Sequence, residues 1–167
     1  MDNITLINNF KEWARTATDL DQGHVINLKD RGPRPKEQYV GLQIMNVRKV
    51  SEYEMEYLPA PLNTVNVIQS GLYEIMLSID VYRGNAIGTM VQLIASLDTV
   101  WANDFFNEKE IGVINQSAIR DLSMPIKGVY EERRQCDFFF YYIDKTSENV
   151  EAIENISGSG FGSDYEI

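Results

Sequence analysis

Two stretches hold the charged and constrained residues with which this chain could do chemistry. The first is Lys29-Asp30-Arg31-Gly32-Pro33-Arg34-Pro35-Lys36-Glu37-Gln38-Tyr39-Val40. The second is Glu131-Glu132-Arg133-Arg134, which runs into Cys136 to Ile143. The chemistry open to them is recognition, because planar guanidinium groups make forked hydrogen bonds to carboxylates and prolines limit the entropy lost when a segment docks. Arg31, Pro33, Arg34, Pro35 and Tyr39 are therefore candidate partner contacts in the first stretch, and Glu132, Arg133 and Arg134 in the second. A strand carrying both signs is also self-complementary around a ring whose interfaces all join the same two edges. The plain alternatives are a solvated loop for the first stretch and the wet edge of a strand for the second.

Bond-breaking chemistry finds no comparable support. Gly158-Ser159-Gly160-Phe161-Gly162 has the composition of a phosphate-cradling loop, but such a loop sits between a strand and a helix, and here only Ser163 to Ile167 follow. The chain has one histidine, His24, and one cysteine, Cys136. No Cys/His metal cluster, internal disulfide or acyl-transfer triad can be assembled from them. Cys136 reads as a small buried hydrophobe. Carboxylates are plentiful, yet Glu52, Glu54 and Glu56 alternate with Tyr53, Met55 and Tyr57 as a solvated strand face does. The expectation is no catalytic residue, no metal, no cofactor and no enzyme.

At 167 residues, with 44% hydrophobic and 24% charged, the chain has material for one folded domain. Its net charge of −10 disfavours a general nucleic-acid or anionic-membrane binder, which needs a positive field. No basic, apolar leader pattern opens the sequence, and no apolar run reaches membrane-spanning length.

Ile4, Leu6, Ile7, Phe10 and Trp13 follow helical spacing behind a possible cap at Asn3. Val25, Ile26 and Leu28 suggest a short edge strand, and Pro33 and Pro35 exclude helix from the connector that follows. Tyr39 to Val50 reads as a strand with Glu52 to Leu58 as its hairpin partner, and Leu62 to Ser70 as a connector. Tyr73, Ile75, Leu77, Ile79 and Val81 alternate along the clearest strand. After a turn at Arg83-Gly84-Asn85, Ile87, Met90, Val91, Ile94, Leu97 and Trp101 define one face of a long helix capped by Asn85. Asn103 to Gly112 reads as a charged loop, Val113 to Leu122 as an irregular strand, Val129 to Ile143 as a long strand greasy on both faces, and Val150 to Ile156 as a last strand. The class is α+β, one domain over 1–157 with a mixed or antiparallel sheet and helices on one side, followed by a flexible Gly/Ser-rich tail over 158–167.

The order of these segments resembles the tail terminator proteins of tailed bacteriophages. The segments that carry the likeness are Pro33-Arg34-Pro35 with Tyr39-Val40, Leu77 to Tyr82, Ala86 to Trp101, Glu132-Arg133 with Asp137 to Tyr142, and Val150 to Gly158. The resemblance implies a structural virion protein of the tail and neck, assembled in the host cytoplasm. It further implies a homohexameric ring on the tail tube protein, with head-completion or connector proteins above and, in contractile tails, the sheath protein. Genome DNA would pass through the lumen without sequence-specific binding, and Glu52, Glu54 and Glu56 are candidate channel lining. Another tail-tube or adaptor subunit, or a small phage accessory enzyme, is the alternative.

Overall fold

The computed structural model describes residues 3–60, 64–126 and 128–151. They form two units, the described residues within 3–52 and 71–144, and those within 53–70 and 145–151. The class is α+β, as the sequence implies. The expected tail over 158–167 lies outside the described residues, as does the part of the last expected strand beyond Glu151.

The first unit begins with helix α1 (Asn3–Thr18), which stops where Asp19 turns into the left-handed region at φ 54°. A short helical turn leads into strand β1 (Val25–Asn27), which lies parallel to β2 (Tyr39–Lys49) over Val40 to Leu42. β2 pairs antiparallel with β4 (Thr64–Tyr82), Tyr39 opposite Tyr82 and Lys49 opposite Tyr73, with a bulge at Met45. β4 neighbours β9 (Arg133–Glu151), and β9 pairs antiparallel with β5 (Ile111–Gln116). β6 (Arg120–Asp121) also lies on β9, and β7 (Met124–Ile126) with β8 (Val129–Glu131) makes a separate two-stranded ribbon.

Where the sequence suggests one long helix to Trp101, the chain makes two, α2 (Ala86–Ser96) and α3 (Val100–Glu108). The break has a local cause: the Thr99 hydroxyl accepts from the Ala102 backbone N–H at 3.4 Å and caps a new helix. That helix takes up most of Asn103 to Gly112, which is therefore not a loop. Asn85 caps α2 through Gly88 N–H at 3.1 Å, and Gly88 is small because a Cβ there would strike the Asn85 side chain.

All three helices cover one face of the sheet. Phe10, Trp13, Met90, Leu93 and Phe106 meet Leu42, Ile75, Leu77, Ile79, Phe138 and Phe140, all nearly or fully buried. Trp13 also donates its indole N–H to Ser96 at 3.0 Å, so its polar edge is satisfied inside the core. The inner side of α2 is Ala86, Thr89, Met90, Leu93 and Ser96, with the buried Leu97 just past its end; Ile87 and Val91, assigned to it from sequence, face solvent. On β9, Phe138, Phe140 and Tyr142 are buried whereas Tyr141 and Ile143 are exposed, so only one face is dry.

The second unit contains β3 (Glu54–Ala60), which pairs with residues 64–70 of β4, Glu54 opposite Ser70 and Ala60 opposite Thr64. The alternation in the sequence predicts this strand as the hairpin partner of β2 and 62–70 as connector, and the structure differs on both. Alternation shows that a segment is a strand but carries no information on its partner, and β4 is long enough to pair with both. Val150 and Glu151 continue β9 and begin no new strand.

Candidate functional site

The helix-free face of the first unit's sheet presents polar side chains at alternate positions. Asp80, Ser78 and Asp137 are each buried there and each bonded. Arg133 Nε donates to Asp80 Oδ1 at 2.9 Å, Gln135 Nε2 donates to Ser78 Oγ at 2.7 Å, and Arg120 pairs with Asp137. Beside them the rings of Tyr39 and Tyr82 stack at 4.5 Å and 9°, with the Arg133 guanidinium 5.1 Å above Tyr82. Arg134 pairs with Asp121 and approaches Glu132 at 3.7 Å.

Burial sets the protonation energetics of this patch. It pushes the Asp80 carboxyl up, against the hydrogen bond and charge of Arg133. It pushes Tyr82 up to about 12 with help from Asp80, and raises Tyr39 with help from Glu131. Burial is also the largest single influence on Arg133 and opposes its charge, but the Asp80 hydrogen bond and charge, with Tyr82 and Tyr39, together outweigh it and raise the guanidinium pKa. Cys136, fully buried on the core side, has its thiol raised by burial.

Arg83 joins the two stretches that stand out in the sequence. Its backbone is left-handed at φ 64°, an uncommon conformation for a residue with a side chain. From there Nη1 donates to the carbonyls of Pro35 at 2.8 Å and Lys36 at 2.6 Å, Nε donates to Glu131 at 2.8 Å, and its N–H bonds the Glu132 carbonyl at 2.8 Å. Gly84 follows at φ 59°; Gln38 runs where its Cβ would stand and bonds Thr89. The connector and the entry to β9 are thereby one ledge. A cavity of about 280 Å³ beside it is lined by Arg83, Ile126, Val129, Tyr130 and Glu131.

The predicted contact residues divide into two groups. Tyr39 is buried and stacked on Tyr82, and Glu132, Arg133 and Arg134 are at least half-buried and ion-paired within the chain, where they hold the ledge together. Arg31, Pro33 and Arg34 are exposed; Arg34 donates to the Leu28 carbonyl at 2.7 Å, and Arg31 has no ion pair among the described residues. Pro35 is half-buried, with its carbonyl on Arg83. Glu54 and Glu56 lie exposed on β3 in the second unit, and Glu52 lies exposed at the end of the first. The sequence reading missed Arg83, Asp80, Asp137 and Arg120. Asp80 had one usable signal, a carboxylate inside an apolar strand, which calls for a cation across the sheet.

Among the described residues no group of three or more His, Cys, Asp or Glu could hold a metal, and no helix is long and apolar enough to cross a membrane. Compared with known families, the chain matches one described as phage neck terminator protein over residues 5–164. No curated protein matches it. Among solved structures it is similar to the sheath/tube terminator of the PVC extracellular contractile injection system in its extended state, at 9% identity and a TM-score of 0.48. That alignment covers 100% of this chain and 65% of the other, so the chain spans about two thirds of that protein's length. The type 4 fimbrial biogenesis protein PilO of Pseudomonas aeruginosa aligns at 8% identity and a TM-score of 0.32, over 85% of this chain and 69% of that one.

Proposed function

The chain belongs to the phage neck terminator family, and on that premise we propose that copies of it close the end of the tail tube as a ring and join the tail to the head. Membership makes it a structural component of the virion's tail and neck, and the family is not a class of enzymes. The finer reading is a homohexamer seated on the tail tube protein, with a head-completion or connector protein above and the sheath protein alongside in a contractile tail. Assembly takes place in the host cytoplasm, without a cofactor.

The observation that carries this reading is the ledge. Arg83 fixes Pro35, Lys36 and Glu131, and so holds Arg31, Pro33 and Arg34 outward on a short, stiff tether. Ordering it on a neighbouring protein costs little entropy. Native mass spectrometry and negative-stain microscopy of the purified protein are expected to give hexamers and rings; monomers across all salt and protein concentrations would sink the reading. Replacing Arg31 and Arg34 together by Ala should leave folding intact and lower the fraction of tails joined to heads. Unchanged virion yield and neck occupancy would reduce the connector to a solvated loop.

Glu52, Glu54 and Glu56 are the channel lining in this reading. Duplex DNA is held by positive walls through counterion release, whereas an acidic wall lets it slide. A map of the assembled ring with Lys29, Arg31, Arg34 and Lys36 on the lumen, together with salt-sensitive duplex binding, would overturn that assignment.

A further inference from the structure

We propose that successive copies meet through a heterologous contact in which the ledge of one copy docks on the outer face of α2 and α3 of the next. The inference rests on the ring reading and names the two surfaces that close the ring.

The receiving surface is apolar with an acidic end. α2 carries no charged residue on any face, and Gln92 is its one side chain that is both polar and exposed. Its inner stripe is in the core, but Ile87 and Val91, four residues apart on the opposite side, are exposed, Val91 by 51%. Asp98 lies exposed beyond the end of that helix. On α3, Val100 is 76% exposed, and Asp104 and Glu108 follow it at four-residue spacing, also exposed.

The docking surface is apolar with a basic flank. The β7–β8 ribbon has only three residue pairs, and a two-stranded ribbon of that size is marginal in water unless something packs on it. Val129 is 71% and Tyr130 67% exposed, with Ile126 beside them. Arg83 ties the base of this ribbon, at Glu131, to the connector that carries Arg31 and Arg34.

The two surfaces complement each other twice, apolar centre to apolar centre and guanidinium to carboxylate. They do not complement themselves. Two ledges brought together would oppose cation to cation, and two α3 faces carboxylate to carboxylate, which disfavours a closed twofold dimer. A contact between two different patches on every copy is the kind that propagates into a ring. Tyr130 and an arginine are also the residue types that anchor interfaces.

The experiment is a charge exchange followed by native mass spectrometry and sedimentation, with circular dichroism to verify folding. Arg31→Glu with Arg34→Glu, and separately Asp98→Lys with Asp104→Lys, should each raise the dissociation constant of the assembly at least ~10-fold. All four substitutions in one chain should restore assembly, a result that damage to folding cannot produce. If the wild type forms rings and either pair alone keeps full ring mass, or the fourfold variant fails to recover, this pairing of surfaces is wrong while the ring itself stands. A wild type that is monomeric throughout overturns both.

Discussion

The two faces of the first unit's sheet use the same strands to opposite ends. On the helix-covered face, ring centroids of Phe10 and Phe140 lie 4.7 Å apart and those of Trp13 and Phe106 5.5 Å, and the contacts are non-directional. On the other face, at alternate residues of β4 and β9, Asp80 meets Arg133 and Ser78 meets Gln135. Hydrogen bonds of this kind add little net stability once desolvation is counted, but each accepts one geometry only. The dry face therefore sets whether the chain folds, and the bonded face sets where the connector and the β9 entry stand. A protein that must present a surface to neighbours needs both.

The largest effect expected from breaking this division is in the core. Trp13→Ala removes the ring that touches Phe106, Phe138 and Phe140 and leaves Ser96 without its donor. It should cost about 3–5 kcal/mol, read as a shift in the urea midpoint. A cost below about 1 kcal/mol would mean that the aromatic cluster is not the main source of stability.

Next in size is Arg133→Ala, which strands the buried Asp80 carboxylate. Breaking a buried pair costs about 3–5 kcal/mol, and Arg133 is about a third exposed, so roughly 2–3 kcal/mol is expected. Asp80→Leu with Arg133→Met should recover most of it, because the pair orients more than it stabilises. The pH response has a definite sign. A carboxyl whose folded pKa is raised gives the folded state its advantage below the unfolded value near 3.8 and loses it as pH rises through the folded value. The Ala variant should therefore regain stability as pH falls from neutral toward 3.8, more steeply than wild type. A flat or opposite profile would remove Asp80 from this account.

A smaller effect should separate the two jobs of Arg83. Arg83→Ala loses the bonds to Pro35, Lys36 and Glu131 and keeps the left-handed backbone; Arg83→Gly loses the same bonds but relieves the backbone by about 1 kcal/mol. The Gly variant should melt above the Ala variant, while hydrogen exchange at Lys36 and Glu37 speeds up equally in both. If exchange is unchanged in either, Arg83 does not hold the connector.

The sequence makes the strong periodicities legible and little else. Ile75 to Val81 alternates because one face is buried along its whole length, and α1 shows its stripe through Phe10 and Trp13. The break between α2 and α3 went unseen because it depends on one hydroxyl at Thr99, and the charges of Asn103 to Glu110 look like a loop when the buried Phe106 is read alone. The partner of β3 is a matter of tertiary pairing and leaves no local trace. The connector and the Glu-Glu-Arg-Arg run were visible as unusual, but what joins them is a single arginine in a turn. Nothing in Arg83-Gly84-Asn85 separates a clamp from an ordinary solvated turn until the carbonyls of Pro35 and Lys36 are placed around it.

The smallest expected effect sits at the rim of the bonded face. Asp121 is exposed, yet its carboxyl is held at about 2, first by the Ser123 side chain, then by the Ser123 backbone N–H, and then by Arg134. A depressed carboxyl contributes stability above its unfolded value of 3.8, lost as pH falls toward about 2. Water screens an exposed group, so no shift in the neutral-pH melting temperature is expected from Asp121→Asn. The informative reading is the titration itself, followed by carboxyl-carbon NMR. Ser123→Ala and Arg134→Ala should each raise the Asp121 midpoint toward 3.8, because the hydroxyl and the guanidinium both stabilise the carboxylate. A midpoint unmoved by Ser123→Ala would mean that this rim is governed by charge and not by its local hydrogen-bonded turn.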